Sequence, residues 1–148
     1  MAVIQGVLTD VGRAKLAKSA LGSVAGYTWS YCSYFEIGEG GWIQQLTGRV
    51  PKTPSVAKTN IEADGSAGNS FFKKYLTSDR MLFVSPSTAQ IDCYLSLEEG
   101  NDDGYGDSPN YFEIGVFDED DVLLFYCTMP EETKNNTKIL HHTINIVF

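Results

Sequence analysis

Tyr111-Phe112-Glu113-Ile114-Gly115-Val116-Phe117 and Val122-Leu123-Leu124-Phe125-Tyr126-Cys127-Thr128-Met129 flank the acidic tetrad Asp118-Glu119-Asp120-Asp121. Two apolar and aromatic runs of strand length around a short polar turn predict a β-hairpin. The acidic residues at its tip are ordinary turn formers. Working outward, Lys138 to Phe148 alternates: Leu140, His142, Ile144, Ile146 and Phe148 share one face, and Ile139, His141, Thr143, Asn145 and Val147 the other. Gln90 to Leu97, with Ile91, Cys93, Tyr94, Leu95 and Leu97, predicts another strand. Met81 to Val84 is a short apolar strand, and Phe71-Phe72 with Tyr75-Leu76 a short strand or turn. Tyr27, Trp29 and Tyr31 alternate ahead of Ile37, predicting a strand with one aromatic face that ends at Gly38-Glu39-Gly40-Gly41.

One helix is legible, over about residues 10–21. Thr9-Asp10 offers its N-cap and Gly22 follows it as a C-terminal stop. Val11, Ala14, Leu16, Ala17, Ala20 and Leu21 form a mainly apolar side, and Arg13, Lys15 and Lys18 a polar one. Residues 2–8 read as a short strand or an extended arm. Residues 48–70, with Pro51 and Pro54 and few large apolar groups, read as a long central loop. No linker divides the chain, so residues 1–148 form a single domain, β-rich from residue 27 onward. The expectation is an α+β fold: one N-terminal helix packed on a mainly antiparallel sheet or small sandwich of about five to seven strands.

The length of 148 residues and 43% hydrophobic content support a real core. A net charge of −8 repels phosphate backbones, which argues against a nucleic-acid partner. No apolar run approaches a membrane span, and the first residues lack the pattern of a secretory signal, so synthesis in the cytosol is expected. Cys32, Cys93 and Cys127 are widely spaced and odd in number. They read as small core residues, not as a disulfide or zinc framework.

The search for chemistry yields little. Asn101, Asp102, Asp103 and Asp107, with Gly104 and Gly106, offer oxygens to a cation, but not at calcium-loop spacing. His141 and His142 are adjacent in a strand and point to opposite faces, His142 toward the apolar one. Glu36, Glu39 and Glu113 are candidate acids with nothing to select a pair. The expectation is no enzyme, no cofactor and no metal. The pentapeptide Tyr-Phe-Glu-Ile-Gly occurs twice, at 34–38 and 111–115. It reads as two strands of like chemistry, each ending at a glycine.

Two stretches carry a resemblance. Leu8-Thr9-Asp10-Val11-Gly12, with Phe35-Glu36-Ile37-Gly38-Glu39-Gly40, resembles the opening of the N-terminal attachment domain of contractile-phage tail-collar fibres. Glu113-Ile114-Gly115-Val116-Phe117-Asp118, then Val122-Leu123-Leu124, Pro130, Lys134 and the strand at 139–148, is similar to the later block of that family. The resemblance implies a structural virion protein of the tail, assembled in the host cytoplasm. It implies a baseplate or fibre attachment role, with other tail proteins as partners and a homo-oligomer, a trimer by preference. Gly12, Gly38, Gly40, Gly115 and Asp118 are its motif residues. Gly38 and Gly115 would each release a strand into a turn or bend, and the helix would press its alanine-rich side on a sheet or a partner. Trp29, Trp42 and Phe148 are the residues expected at interfaces. No shaft or receptor-binding tip follows Phe148, so an adaptor is expected. The alternative is a carbohydrate- or receptor-binding module, in which exposed Trp29 and Trp42 would stack on sugars.

Overall fold

The computed structural model describes residues 2–61, 71–102 and 108–148. The elements run β1 (Ala2–Leu8), α1 (Asp10–Leu21), β2 (Cys32–Gly38), β3 (Trp42–Gln45), β4 (Gly48–Pro51), β5 (Phe71–Tyr75), β6 (Met81–Ser85), β7 (Thr88–Leu95), β8 (Asn110–Asp118), β9 (Leu123–Thr133) and β10 (Leu140–Val147). Eight strands make one sheet in the order β5-β2-β8-β9-β1-β10-β7-β6, and β3-β4 stands apart as a two-stranded hairpin. All pairings are antiparallel except β1 with β10, so the N-terminal strand completes the sheet.

This corrects the α+β expectation. Of the described residues 50% are in strands and 14% in helices, and the sheet curls into a half-barrel. The physical reason is length. Long alternating strands pair continuously, and the twist of so wide a sheet brings its two wings around a shared interior. Phe35, Ile37, Ile114, Val116, Phe125, Cys127 and Met129 from one wing meet Ile91, Cys93, Leu95, Leu140, Ile144 and Ile146 from the other. The sheet buries its own concave face and has no need of a helical layer.

The helix is where expected, but its packing is reversed. Thr9 caps it, its hydroxyl accepting from the Gly12 amide at 2.9 Å. Gly12 and Ser19 are the buried residues of α1, and Leu16 packs on the core, whereas Val11, Ala14, Ala17, Ala20 and Leu21 face solvent. A side chain at Gly12 would lie 2.6 Å from the Leu124 carbonyl oxygen and 2.7 Å from its Cα. The helix therefore crosses β9 at the one position without a Cβ, and this contact decides which side turns inward.

Other boundaries also move. Tyr27, Trp29 and Tyr31 lie outside any strand and are exposed, and β2 begins only at Cys32. Asp118 explains this: its carboxylate accepts from the Ser30 hydroxyl, while Glu119 takes the Tyr31 amide, so these groups hold the segment as a strap across the hairpin tip. Residues 48–51 are strand, paired with β3, in place of the start of a loop. Of that predicted loop, residues 62–70 lie outside the described residues, as do Asp103, Gly104, Gly106 and Asp107 of the acidic loop.

The repeated pentapeptide turns out to pair with itself. β2 and β8 are antiparallel neighbours, with Glu36 opposite Gly115, Ile37 opposite Ile114 and Gly38 opposite Glu113. Gly38 ends its strand as expected, but Gly115 lies within β8. There Ile61 and Leu123 would each be 2.8 Å from an added Cβ. The glycine makes room for the cover on the convex face, where Tyr34, Phe117, Leu123 and Tyr126 form a second small core with Ile61 and Val7.

Candidate docking surface

β6 is an edge strand: one side pairs with β7 and the other is open. Its register sets Met81 opposite Ile91 and Phe83 opposite Ala89, which puts both on the concave side. Among the described residues no further strand covers them. The mouth of the half-barrel is consequently a groove of about 440 Å³. Leu16 of α1, Tyr31, Leu82, Phe83, Phe125 and Phe148 are among its lining residues. Phe83 is 70% exposed and Phe148 60%, although the Phe148 ring meets Phe125 edge-on at 5.9 Å between centroids. Ser30 and Tyr31 of the strap also line the groove, and Trp29 just before them is 71% exposed. Apolar surface gathered in this way marks an interaction site more strongly than scattered residues do.

The predicted interface residues thus divide. Phe148 lines this groove, Trp29 is exposed but is not among its lining residues, and Trp42 is engaged elsewhere. Its indole donates to the Glu39 carbonyl at 2.7 Å, its ring lies 6.1 Å from Phe112, and the Arg49 guanidinium sits 5.0 Å from both rings. Trp42 roots the β3-β4 hairpin, whose tip carries Leu46 fully into solvent. Sequence reasoning does not single out Phe83 and Leu82. Their only signal is an apolar run, Met81 to Val84, which a buried strand and an open edge share.

The motif residues are structural in their surroundings. Gly12, Gly38 and Gly115 are buried among close neighbours, and Gly40 is buried as well. Asp118 is fully buried and organises the β8-β9 turn, accepting from the Asp120 and Val122 amides at 2.9 Å each. Asp118, Glu119 and Asp120 lie close together, with the Lys15 ammonium paired to Asp120 and 3.8 Å from Asp118.

The candidate acids lie near one another on β2, just past its end and on β8, each with its own partner. Glu36 pairs across the strands with Lys73, and burial raises its carboxyl against the pull of that lysine. Glu39 accepts from the Asn110 amide at 2.7 Å, and buried Glu113 accepts from the Tyr126 hydroxyl at 2.5 Å. Burial pushes the Cys32 and Cys127 thiols up to about 12, and that of Cys93 well above its ordinary value, which suppresses thiolate chemistry. All three cysteines are free; Cys93 and Cys127 are buried and Cys32 is half-buried at the groove.

No family model, curated protein or solved structure matches the chain.

The two histidines do point to opposite faces. His141 meets Asp92 at 2.5 Å, and His142 is buried with Glu132 at 2.6 Å. The His142 bond holds Glu132 below the usual carboxylate range despite burial. Burial alone would raise Asp92, but bonds from His141 and Arg80 outweigh it and the carboxyl is lowered. A depressed folded pKa stabilises above the unfolded value, and that contribution is lost as pH falls through the folded one. Stability should therefore be steady near neutral pH and fall as the pH drops below about 4, the unfolded carboxylate range. Urea midpoints measured from pH 7 to 3 check this. Asp92→Asn should flatten the acid limb of the curve, and an unaltered limb would refute the assignment.

Proposed function

We propose that this protein is a structural component of a phage tail, or of a related injection machine, that attaches fibre to baseplate through its apolar mouth. The observation that carries the reading is the uncovered groove of Leu16, Tyr31, Leu82, Phe83 and Phe148, continuous with an open edge strand. Such an edge invites pairing with another chain, and evolved proteins normally blunt it. The resemblance of the Leu8–Gly12 and Glu113–Asp118 stretches to fibre-attachment domains supports the choice of assembly. The rigid part is the self-buried half-barrel, and the contact part is its mouth together with the alanine side of α1. A homo-oligomer, a trimer by preference, is the proposed state.

Phe83→Asp tests this directly. The native chain should run as an oligomer in light scattering behind size exclusion, and Phe83→Asp as a folded monomer with an unchanged far-UV spectrum. Loss of a central aromatic anchor typically costs more than about 2 kcal/mol of association, over tenfold in affinity. A monomeric native chain that also fails to co-purify with tail particles would refute the proposal.

A second reading rests on Trp29 and Tyr31, both exposed and two residues apart. Aromatic faces in this position suit stacking on a sugar. Glycan binding that is lost in Trp29→Ala and kept in Phe83→Asp would favour a receptor-binding module.

A further inference from the structure

Lys134 is fully buried. Lysines are almost never buried without an anionic partner. Among the described residues, however, its amine has no carboxylate oxygen within 4.0 Å: its two hydrogen-bond acceptors are the side-chain oxygen of Asn101, at 2.5 Å, and the Asn135 carbonyl, at 3.1 Å. The backbone holds the lysine in place as well, since its amide donates to the Pro109 carbonyl at 2.9 Å. On the other side of the pair, the Asn101 Nδ2 donates to the Leu97 carbonyl at 2.7 Å, an exposed bond. One amide group is thus gripped between a buried amine and a solvent-facing carbonyl.

We propose that Lys134 and Asn101 join in an intramolecular isopeptide bond. With Nζ 2.5 Å from Oδ1 and a C=O bond of about 1.2 Å, Cγ lies no more than about 3.7 Å from the amine, near attack distance. The contact present is in the amide plane, and a turn about the Asn101 Cβ–Cγ bond presents the carbonyl face to Nζ. Neutral Nζ then adds to Cγ. The C–Nδ2 bond breaks as Nδ2 takes up the proton that Nζ gives up. One Nζ–Cγ amide is formed and one ammonia leaves toward the solvent side. No oxidant, reductant or co-reactant is required. Burial lowers the Lys134 pKa, against a smaller opposing pull from Glu99, which enlarges the fraction of neutral nucleophile. The product replaces a buried charge with a neutral amide, which removes the desolvation cost of a buried ammonium. It also closes a covalent loop through residues 101–134, tying the turn after β7 to the far end of the β8-β9 hairpin. The inference does not depend on the proposed function.

Intact-mass measurement of the purified, denatured full chain is the deciding experiment. The expected mass is about 17 Da below the sequence value, the loss of one ammonia. Chymotrypsin, which cuts between the two residues at Tyr111, Phe112, Phe117 and Phe125, should leave the fragments that hold Asn101 and Lys134 joined, and trypsin should be unable to cut after Lys134. Lys134→Met and Asn101→Ala should each restore the full sequence mass. A native chain at full mass overturns the proposal. A 17 Da loss that persists in Lys134→Met also overturns it, because Asn101 would then have cyclised onto its own backbone. If either variant fails to fold, fragment sequencing of the native chain still tests the bond: a joined Asn101–Lys134 pair upholds it, and separate peptides overturn it.

Discussion

Gly12→Ala should destabilise the protein by at least about 2 kcal/mol, although alanine is the better helix former. In an exposed helix the change would gain roughly 1 kcal/mol. Here the new methyl would meet the Leu124 carbonyl oxygen at 2.6 Å, its Cα at 2.7 Å and the capping Thr9 hydroxyl at 2.8 Å. Two of those atoms are backbone of β9, a strand fixed between β8 and β1, so they cannot swing aside. Relief requires lifting the helix, which strains the Thr9 cap and draws Leu16 off the core. Overpacking of this kind costs typically 1–3 kcal/mol and occasionally more, and a strain of about 3 kcal/mol set against a propensity gain of about 1 leaves the net loss at about 2. Urea denaturation measures the outcome. Ala14→Gly on the exposed side is the control, and should cost only about 1 kcal/mol. A Gly12→Ala chain as stable as the native one would refute the close crossing.

Asp118→Ala should cost about 3 kcal/mol or more. The fully buried carboxylate accepts from two backbone amides and the Ser30 hydroxyl at 2.9 Å each, with Lys15 at 3.8 Å. Hydrogen bonds to a charged group are worth about 1.5–3 kcal/mol, and the abandoned donors add their own desolvation cost. Asp118→Asn separates the contributions. It keeps an acceptor for the turn amides but sets an NH2 group against Lys15 and the strap, so its loss should be intermediate. Thermal melts of the two variants check this order, and equal losses would mean that only the charge matters. Asp121 follows at a φ of 62°, so the turn also relies on a left-handed residue that the Asp118 side chain helps to hold.

The sheet was legible wherever alternation ran long. The strand from Leu140 and its inward row Leu140, His142, Ile144 and Ile146 follow from period two, and the hairpin at 111–129 from two apolar runs around an acidic turn. How many strands join one sheet was not legible, because pairing partners are set by tertiary contacts. The alanine side of α1 misled for a related reason: hydrophobicity marks what can be buried, whereas closeness of approach is set by size, and Gly12 outranked five larger apolar residues. Trp29 and Tyr31 alternate as a strand would, but Asp118 and Glu119 hold that segment by polar bonds that no periodicity encodes. Of the candidate site, Phe148 could be read from the sequence. Phe83 could not, since an edge position depends on which strand happens to be last.

The pairing of the two Tyr-Phe-Glu-Ile-Gly copies carries an error-proofing consequence. Each bulky acid faces the smallest residue of the other copy, Glu36 with Gly115 and Gly38 with Glu113. Slipping β2 by two residues one way would set Glu36 against Glu113, two carboxylates in a poorly hydrated row. Slipping it the other way would set Gly38 against Gly115 and leave a gap beneath Ile61. A slip by one would turn Ile37 and Ile114 out of the interior altogether. Of these alignments only the native one avoids every fault, so a five-residue word written twice acts as a key and its own lock during folding.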